Sequence, residues 1–545
     1  MTQTVFDAIV VGSGATGGIA ALKLTKAGLR VLLLEAGAPV RRNSDYGTPP
    51  GNVARQLYRH FISKRQRVQE AHATYWTTNP DFFVDDEDNP YTTPPDKPFR
   101  WIRNRRLGGR TLTWDGVTPR MSDFELKAAS RDGIGLDWPI SHADLAPYYG
   151  EIERMLGVWG THDGLAQLPD GEFVGERPLT PAERVFKERV EKEFPERNVI
   201  VSRGLRAARA PGSALSSVST TIAAAMSTGK LSVRTNSIVS RILVEPDGSR
   251  ATGVEIVDAL DLHREEVRAP LVFLCASTIE SLRILMASDS RAHPKGIGAS
   301  SGTLGRYVMD HVASTVYFAL PDVRDDGNAR DLLGSDSIML PRWQNLNGVR
   351  EDYPRGFGAW GGIQRLPIPK AFRKQPGVAF GFLCARAETL PDKDNRVELD
   401  PERRDRWGVP AARITCEWKE HDRVVARAAR ESIVQMIEAA GGVVSNLTDL
   451  FHMPLLGGIF SNIQKEWTCS TPGLFCHEVG GARMGTDPKT SVTDATCAVW
   501  DVPNVYVTDG ACWPSCGWQN PTLTMMAVTA RACDHAVTAL RRSEK

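Results

Sequence analysis

Between Phe6 and Gly37 the chain runs apolar strand, glycine turn, helix, apolar strand and acid, an order that few folds can accept. Phe6 to Val11 is a short β-branched run, Gly12-Ser-Gly-Ala-Thr-Gly17 is the turn, Ile19 to Gly28 reads as a helix, and Leu29 to Leu34 reads as a buried strand closed by Glu35. This is the context that gives a GxGxxG motif meaning. Gly12 permits the tight turn, Gly14 lets the backbone approach a pyrophosphate, and Gly17 lets the helix pack on its strand. The helix start offers free N–H groups and partial positive charge to phosphates, and Glu35 stands where a ribose hydroxyl needs an acceptor. The motif predicts a dinucleotide; whether that is FAD or NAD, these residues leave open.

The length of 545 residues allows two or more domains, and 41% hydrophobic with 24% charged residues describes an ordinary globular chain. A net charge of +1 favours no polyanion, so neither nucleic acid nor an anionic membrane is an expected partner. No apolar run approaches the roughly 18 residues of a membrane helix. The first strand begins near residue 6, and a cytoplasmic location is expected. Of nine cysteines, none in a CxxC pair, Cys275, Cys384 and Cys416 read as buried thiols, and Cys512 and Cys516 read as unpaired.

Residues 38 to 100 lose periodicity and read as a long excursion over the cofactor domain. Gly108 and Gly109 follow a basic strand and suggest backbone running close to a flat or anionic ligand. Residues 139 to 200 read as helical, with Trp138 to Ser141 as a start signal and Ala143 to Leu156 as an amphipathic stretch. The alternating runs from Leu231 to Asp258 predict a small antiparallel sheet. Leu271 to Ala276 reads as a buried strand, and Ser277 with Glu280 as a capping box for the helix after it. Residues 310 to 470 read as a second, sheet-based domain interrupted by one helix, Asp422 to Ala440. Near the end, Val505 to Val507 reads as a strand broken by Asp509-Gly510. Asn520 then reads as an N-cap and Pro521 as the first helical residue.

These stretches together resemble the glucose–methanol–choline (GMC) flavoprotein oxidoreductases over essentially the whole chain. The matching residues are the glycine turn with Glu35, Leu107-Gly-Gly-Arg110 with Trp114, Arg396 to Leu399, His477 with Gly480-Gly481, Arg483-Met-Gly485, Asp509-Gly510 and Asn520-Pro-Thr-Leu-Thr524. Within the family, the His477 to Gly485 run with Asn520 to Thr524 is most similar to the pyranose 2-oxidase branch and its bacterial glycoside- and sugar-oxidising relatives. The resemblance implies an α/β fold with a Rossmann-like FAD-binding domain and a sheet-based substrate domain. It divides the chain into 1–45, 100–120, 210–310 and 476–545 for the first, and 46–99, 121–209 and 311–475 for the second and its covering loops. It implies His477 and Asn520 as the catalytic pair. It implies cofactor contacts at Gly12, Gly14, Ala15, Thr16, Gly17, Glu35, Ala36, Arg106, Gly108, Gly109, Thr113, Trp114, Asp115, Val239, Ala276, Asp509, Gly510, Asn520, Pro521 and Thr522, and no metal. Two positions depart from the branch. Thr113 stands where fungal pyranose oxidases carry the histidine that attaches FAD, so non-covalent FAD is expected. Asp115 replaces a threonine near the flavin.

The expected reaction is FAD-dependent oxidation of a secondary ring hydroxyl, at C2 or C3 of a sugar or glycoside, to a ketone. Oxygen, a quinone or a redox protein would be the electron acceptor. A histidine near its ordinary pKa of about 6.5 suits the base, and Asn520 carries donor and acceptor groups to orient the hydroxyl. The alternatives are a non-sugar alcohol, or a non-redox lyase on the same fold. An NAD enzyme would leave the C-terminal motifs unexplained. Gly298 to Gly302 matches a hydrolase pattern but not its strand-to-helix setting. His477-Glu478 lacks the second histidine of a zinc helix.

Overall fold

Ala8, Ile9 and Val10 are wholly excluded from solvent, because the strand they form is interior to a sheet covered on both faces, where continuous apolar runs are required. The computed structural model describes residues 6–40, 54–72, 76, 79–205, 215–325, 337–349, 352–365, 370–452, 464 and 469–543. The sheet has six strands in the order Ala498–Val499, Val502–Val507, Leu271–Leu274, Ala8–Val11, Val31–Leu34 and Leu231–Arg234. Its inner pairs are parallel, with Ala8 opposite both Leu271 and Val31 and Val272 opposite Val505. The helix Ala15–Lys26 packs against the long C-terminal helix Thr522–Ser543, which in turn meets His142–Leu156. The two ends of the chain therefore share one core, which also takes in Met121, Leu126, Trp138 and Tyr149.

Leu231–Arg234 departs from its expected place. It adds to the parallel sheet beside Val31–Leu34, and only Ser237–Val244, Ala251–Asp258 and Arg264–Arg268 form the small antiparallel sheet. Its alternation records one exposed face, which an edge strand of either sheet presents. The stretch 139 to 200 is two helices, His142–Leu156 and Pro181–Glu193, with non-helical chain between them. Ser141 with Asp144, and Thr180 with Glu183, close capping boxes at their starts. Of the excursion 38–100, residues 41–53, 73–75, 77 and 78 lie outside the described residues.

The second large sheet runs in the order Val443–Val444, Val312–Arg324, Val378–Ala387, Phe357–Ile363, Ile338–Leu340 and Ile200–Val201, antiparallel throughout. Period-2 alternation sorts its side chains. Ala379, Leu383, Ala385 and Ala387 join the core under helix Glu420–Ala439, which lies within two residues of its expected bounds. Phe382, Cys384 and Arg386 face the other way, towards a chamber they share with Tyr317 and Trp360. A third sheet, Val479–Gly481, Arg306–Met309, Arg396–Arg404, Pro410–Thr415 and Tyr91–Thr92, joins the two parts.

Candidate active site

The glycine turn is built by close approach. Gly12 has φ +98°, and a Cβ there would lie 2.4 Å from the Cys275 carbonyl oxygen. A Cβ on Gly17 would lie 1.8 Å from the Gly12 carbonyl oxygen, so the helix rests on the turn only because Gly17 has none. Gly14 differs: no protein atom lies within 4 Å of its Cβ position, leaving open space at the helix start. Glu35 ends the next strand with both oxygens engaged. One accepts from the Ser13 N–H (3.2 Å) and hydroxyl, the other from the Gly37 N–H at 2.7 Å. Burial pushes its pKa up against those bonds. Ser13 Oγ also accepts from the Gly108 N–H at 2.8 Å, tying the Gly-Gly segment to the turn.

One cavity runs from this turn to His477. Gly12, Gly14, Ala15, Thr16, Glu35, Ala36, Gly109, Trp114, Val239, Ala276, Asp509, Gly510, Pro521 and Thr522 all line it. Gly17 and Gly108 are not among the lining: Gly17 packs on the Gly12 carbonyl, and Gly108, at φ +105°, donates its N–H to Ser13. Arg106 does not line the cavity: its Nε donates to the Asp81 carbonyl at 2.9 Å, while its neighbour Arg105 does line it. Thr113, Asp115 and Asn520 line a second cavity, which shares Asn104, Arg110, Trp114, Cys476, His477 and Thr522 with the first. The far wall of the second is aromatic, with Tyr317, Trp360, Phe382 and Phe475.

Two expected caps are absent. Ser277 sits at φ +80° and makes no side-chain cap, while Glu280 is held by Arg283 at 2.9 Å. Ser281 Oγ accepts from the Ala276 N–H instead and donates to Asp509. Burial raises the Asp509 pKa to about 6. The C-terminal helix begins at Thr522, one residue later than expected, with the Pro521 carbonyl accepting from the Met525 N–H at 2.9 Å. Asn520 is not its cap: Asn520 Oδ1 accepts from Arg386 Nη1. With that oxygen engaged, Asn520 offers the chamber its N–H donors.

His477 lies just before strand Val479–Gly481, and His311 just after strand Arg306–Met309. The antiparallel pairing of Met309 with Val479 brings the two imidazoles flush. Their Nδ1 atoms are 2.9 Å apart, with the rings at 88°. His311 Nε2 contacts the Gly517 carbonyl, which can only accept, so that nitrogen carries a hydrogen. Burial, with the charge of Arg386, pushes the His311 pKa down to about 3, so the ring is neutral and its Nδ1 accepts. His477 Nδ1 must then be the donor, and its Nε2 keeps a lone pair. This tautomer is assigned from the network. Burial, with the positive charges of Arg386 and Arg110 nearby, holds His477 well below the ordinary histidine range, contrary to the expected value of about 6.5.

Asp310 supports both rings. Its Oδ1 accepts the backbone N–H of His311 (2.8 Å) and of His477 (3.3 Å), and its Oδ2 that of Gly473 (2.8 Å). Burial, then repulsion from Glu478, lifts its pKa to about 7. Arg110 clamps Glu478 through two N–H groups at 2.7 and 3.0 Å and donates to the Cys476 carbonyl at 2.7 Å. The sequence reading passed over Asp310, His311, Arg386 and the Arg110–Glu478 pair. The Asp310-His311 dipeptide ending a strand was the one available signal. Cys512 and Cys516 are separate buried thiols. Among the described residues no cluster of metal ligands occurs and no helix is long and apolar enough to cross a membrane.

Family models described as GMC oxidoreductase match residues 6–313 and 391–529. Among curated proteins, the chain is 30% identical to 2-methyl-1,2-propanediol dehydrogenase of Mycolicibacterium austroafricanum, covering 97% of this chain and 94% of that one. It is 28% identical to C-glycoside 3-oxidase of Microbacterium trichothecenolyticum, over 79% and 74%. Among solved structures, pyridoxine 4-oxidase from Mesorbium loti superposes with a TM-score of 0.61 at 18% identity, covering 97% of this chain and 98% of that chain.

Proposed function

The chain belongs to the GMC oxidoreductase family, FAD-binding enzymes acting on CH–OH donors, and from that premise we propose that it oxidises a secondary ring hydroxyl of a sugar or glycoside to a ketone. The observation that carries this reading is the lone pair on His477 Nε2, at the junction of the two cavities. The first cavity fits a dinucleotide. Open space at Gly14 fronts the Ala15–Lys26 helix start, Glu35 supplies a carboxylate, and Asp509-Gly510 and Thr522 line the stretch towards His477. Those residues would hold FAD, which when bound supplies the hydride acceptor. With threonine at position 113, attachment is non-covalent.

The residues of the chain act on the hydroxyl. His477 Nε2 takes the O–H proton as the C–H hydrogen leaves as hydride, and the product is the ketone. Asn520 donates an N–H to the same oxygen, favouring alkoxide character as it develops. Ring hydroxyls suit a chamber with aromatic walls and a few convergent polar groups. C2 and C3 are the candidate positions, and oxygen, a quinone or a redox protein would reoxidise the cofactor.

Anaerobic mixing with a panel of free sugars, glycosides and small diols tests the reading by bleaching of the flavin. Bleaching by sugars or glycosides, followed by recovery of a keto sugar, is expected. The likeness to 2-methyl-1,2-propanediol dehydrogenase favours a second reading, a small non-sugar alcohol. Bleaching by diols alone would establish that one, and bleaching by no alcohol would return the lyase alternative.

A further inference from the structure

Arg386 is a buried cation without a carboxylate. It is 9% exposed, on the chamber face of strand Val378–Ala387 beside Phe382 and Cys384. Its Nη1 donates to Asn520 Oδ1, its guanidinium lies 5.7 Å from the Trp360 ring centre, and its buried Nε has no hydrogen-bond partner. Among the described residues no acid forms an ion pair with it. Nearby, Arg110 pairs with Glu478 and Arg283 with Asp405, while Arg103, equally buried and lining the first cavity, donates to the Asn89 carbonyl and lies over the Trp101 ring. Asp115 lines the same chamber and has an interaction of its own. Leaving a desolvated charge unpaired is strongly unfavourable, and proteins hold buried charges in pairs. A planar fork with several donors facing a ligand chamber matches the two oxygens of an oxyanion.

Resting on the sugar-oxidation reading above, we propose that Arg386 receives an oxyanion of the substrate, a carboxylate or a phosphate, so that the preferred substrates are acidic sugars or glycosides. The bound oxyanion completes the ion pair that the fold leaves open. It also cancels the positive charge that opposes protonation of His477 and His311, so the group that anchors the substrate also makes proton abstraction easier.

The test uses holoenzyme and three matched compounds: methyl glucoside, methyl glucuronide and glucose 6-phosphate. Anaerobic flavin bleaching is measured for the native protein, Arg386→Gln and Arg386→Lys. A charge-assisted contact predicts a preference of about 10- to 100-fold for one oxyanion over the neutral glycoside, and which oxyanion wins identifies the source. That ratio collapses in Arg386→Gln and survives in part in Arg386→Lys. Equal rates on all three compounds overturn the proposal, as does an Arg386→Gln variant that slows neutral and anionic substrates equally. Binding is read separately by titrating the flavin spectrum with acetate and with inorganic phosphate. If no sugar bleaches the flavin, a native spectral shift that Arg386→Gln abolishes still supports the anion site while the sugar reading fails. The absence of any such shift overturns the anion site.

Discussion

His311 and His477 touch through like atoms, Nδ1 to Nδ1 at 2.9 Å, a contact that admits only one hydrogen between them. The Gly517 carbonyl on the far side of His311 decides which ring carries it. The result is a His477 imidazole held in one tautomer by a ring that lines neither cavity.

His311 is therefore a positioning residue, and its replacement affects the base without removing it. His311→Leu is expected to slow flavin reduction by about 10- to 100-fold, the worth of a strong hydrogen bond at 1.4 kcal/mol per decade. His311→Gln, whose amide can accept from His477 and donate to Gly517, recovers part of that loss. Equal rates in the two variants would remove the tautomer argument. His477→Ala is expected to cost more, about 10²–10⁴-fold, with FAD still bound.

The same burial makes a pH signature. His311 falls from about 6.5 unfolded to about 3 folded. Between those values only the unfolded chain takes the proton, so the stability this ring contributes is complete above pH 6.5 or so and drains away as pH falls towards 3. Asp310, lifted to about 7, and Asp509, lifted to about 6, slope the other way. Both carboxylates remain in His311→Gln, so the Tm difference between native protein and variant isolates the ring. That difference should narrow steadily as pH falls below about 6.5. A difference independent of pH would sink the assignment.

Two glycines of one motif should fail in different ways. Gly17→Ala drives a methyl into the Gly12 carbonyl and is expected to destabilise the apoprotein by about 1–3 kcal/mol or more, seen as a lower Tm before any flavin is added. Gly14→Ala meets no protein atom and should leave apoprotein stability within about 0.5 kcal/mol while weakening FAD binding in a titration.

Removing the guanidinium at Arg110 strands Glu478, whose side chain is 1% exposed, beside Asp310. Arg110→Met is expected to lose about 3 kcal/mol in urea unfolding. Arg110→Met with Glu478→Gln should recover much of that, and failure to do so would place the cost in packing.

Non-covalent attachment predicts that acid precipitation leaves the yellow colour in the supernatant. Colour retained in the pellet would point to a linkage elsewhere than Thr113.

The sequence by itself determined what depends on near neighbours. Gly12 and Gly17 were legible because the turn they make lies within six residues, although the Cys275 carbonyl that Gly12 approaches comes from a distant strand. The helix start at Ser141 and the helix Glu420–Ala439 were legible for the same reason. His477 and Asn520 were found by motif. What they do was decided elsewhere, because hydrogen-bond partners and desolvation come from whichever strands lie alongside. Register, not local sequence, set Met309 against Val479 and so His311 against His477. The sheet carrying Arg386 took the Asn520 oxygen from the helix it was expected to cap. Leu231–Arg234 could have joined either sheet by its pattern, and only assembly chose. A histidine expected near 6.5 became a buried neutral imidazole because charges and apolar walls from distant segments close around it, and no run of neighbouring residues encodes that environment.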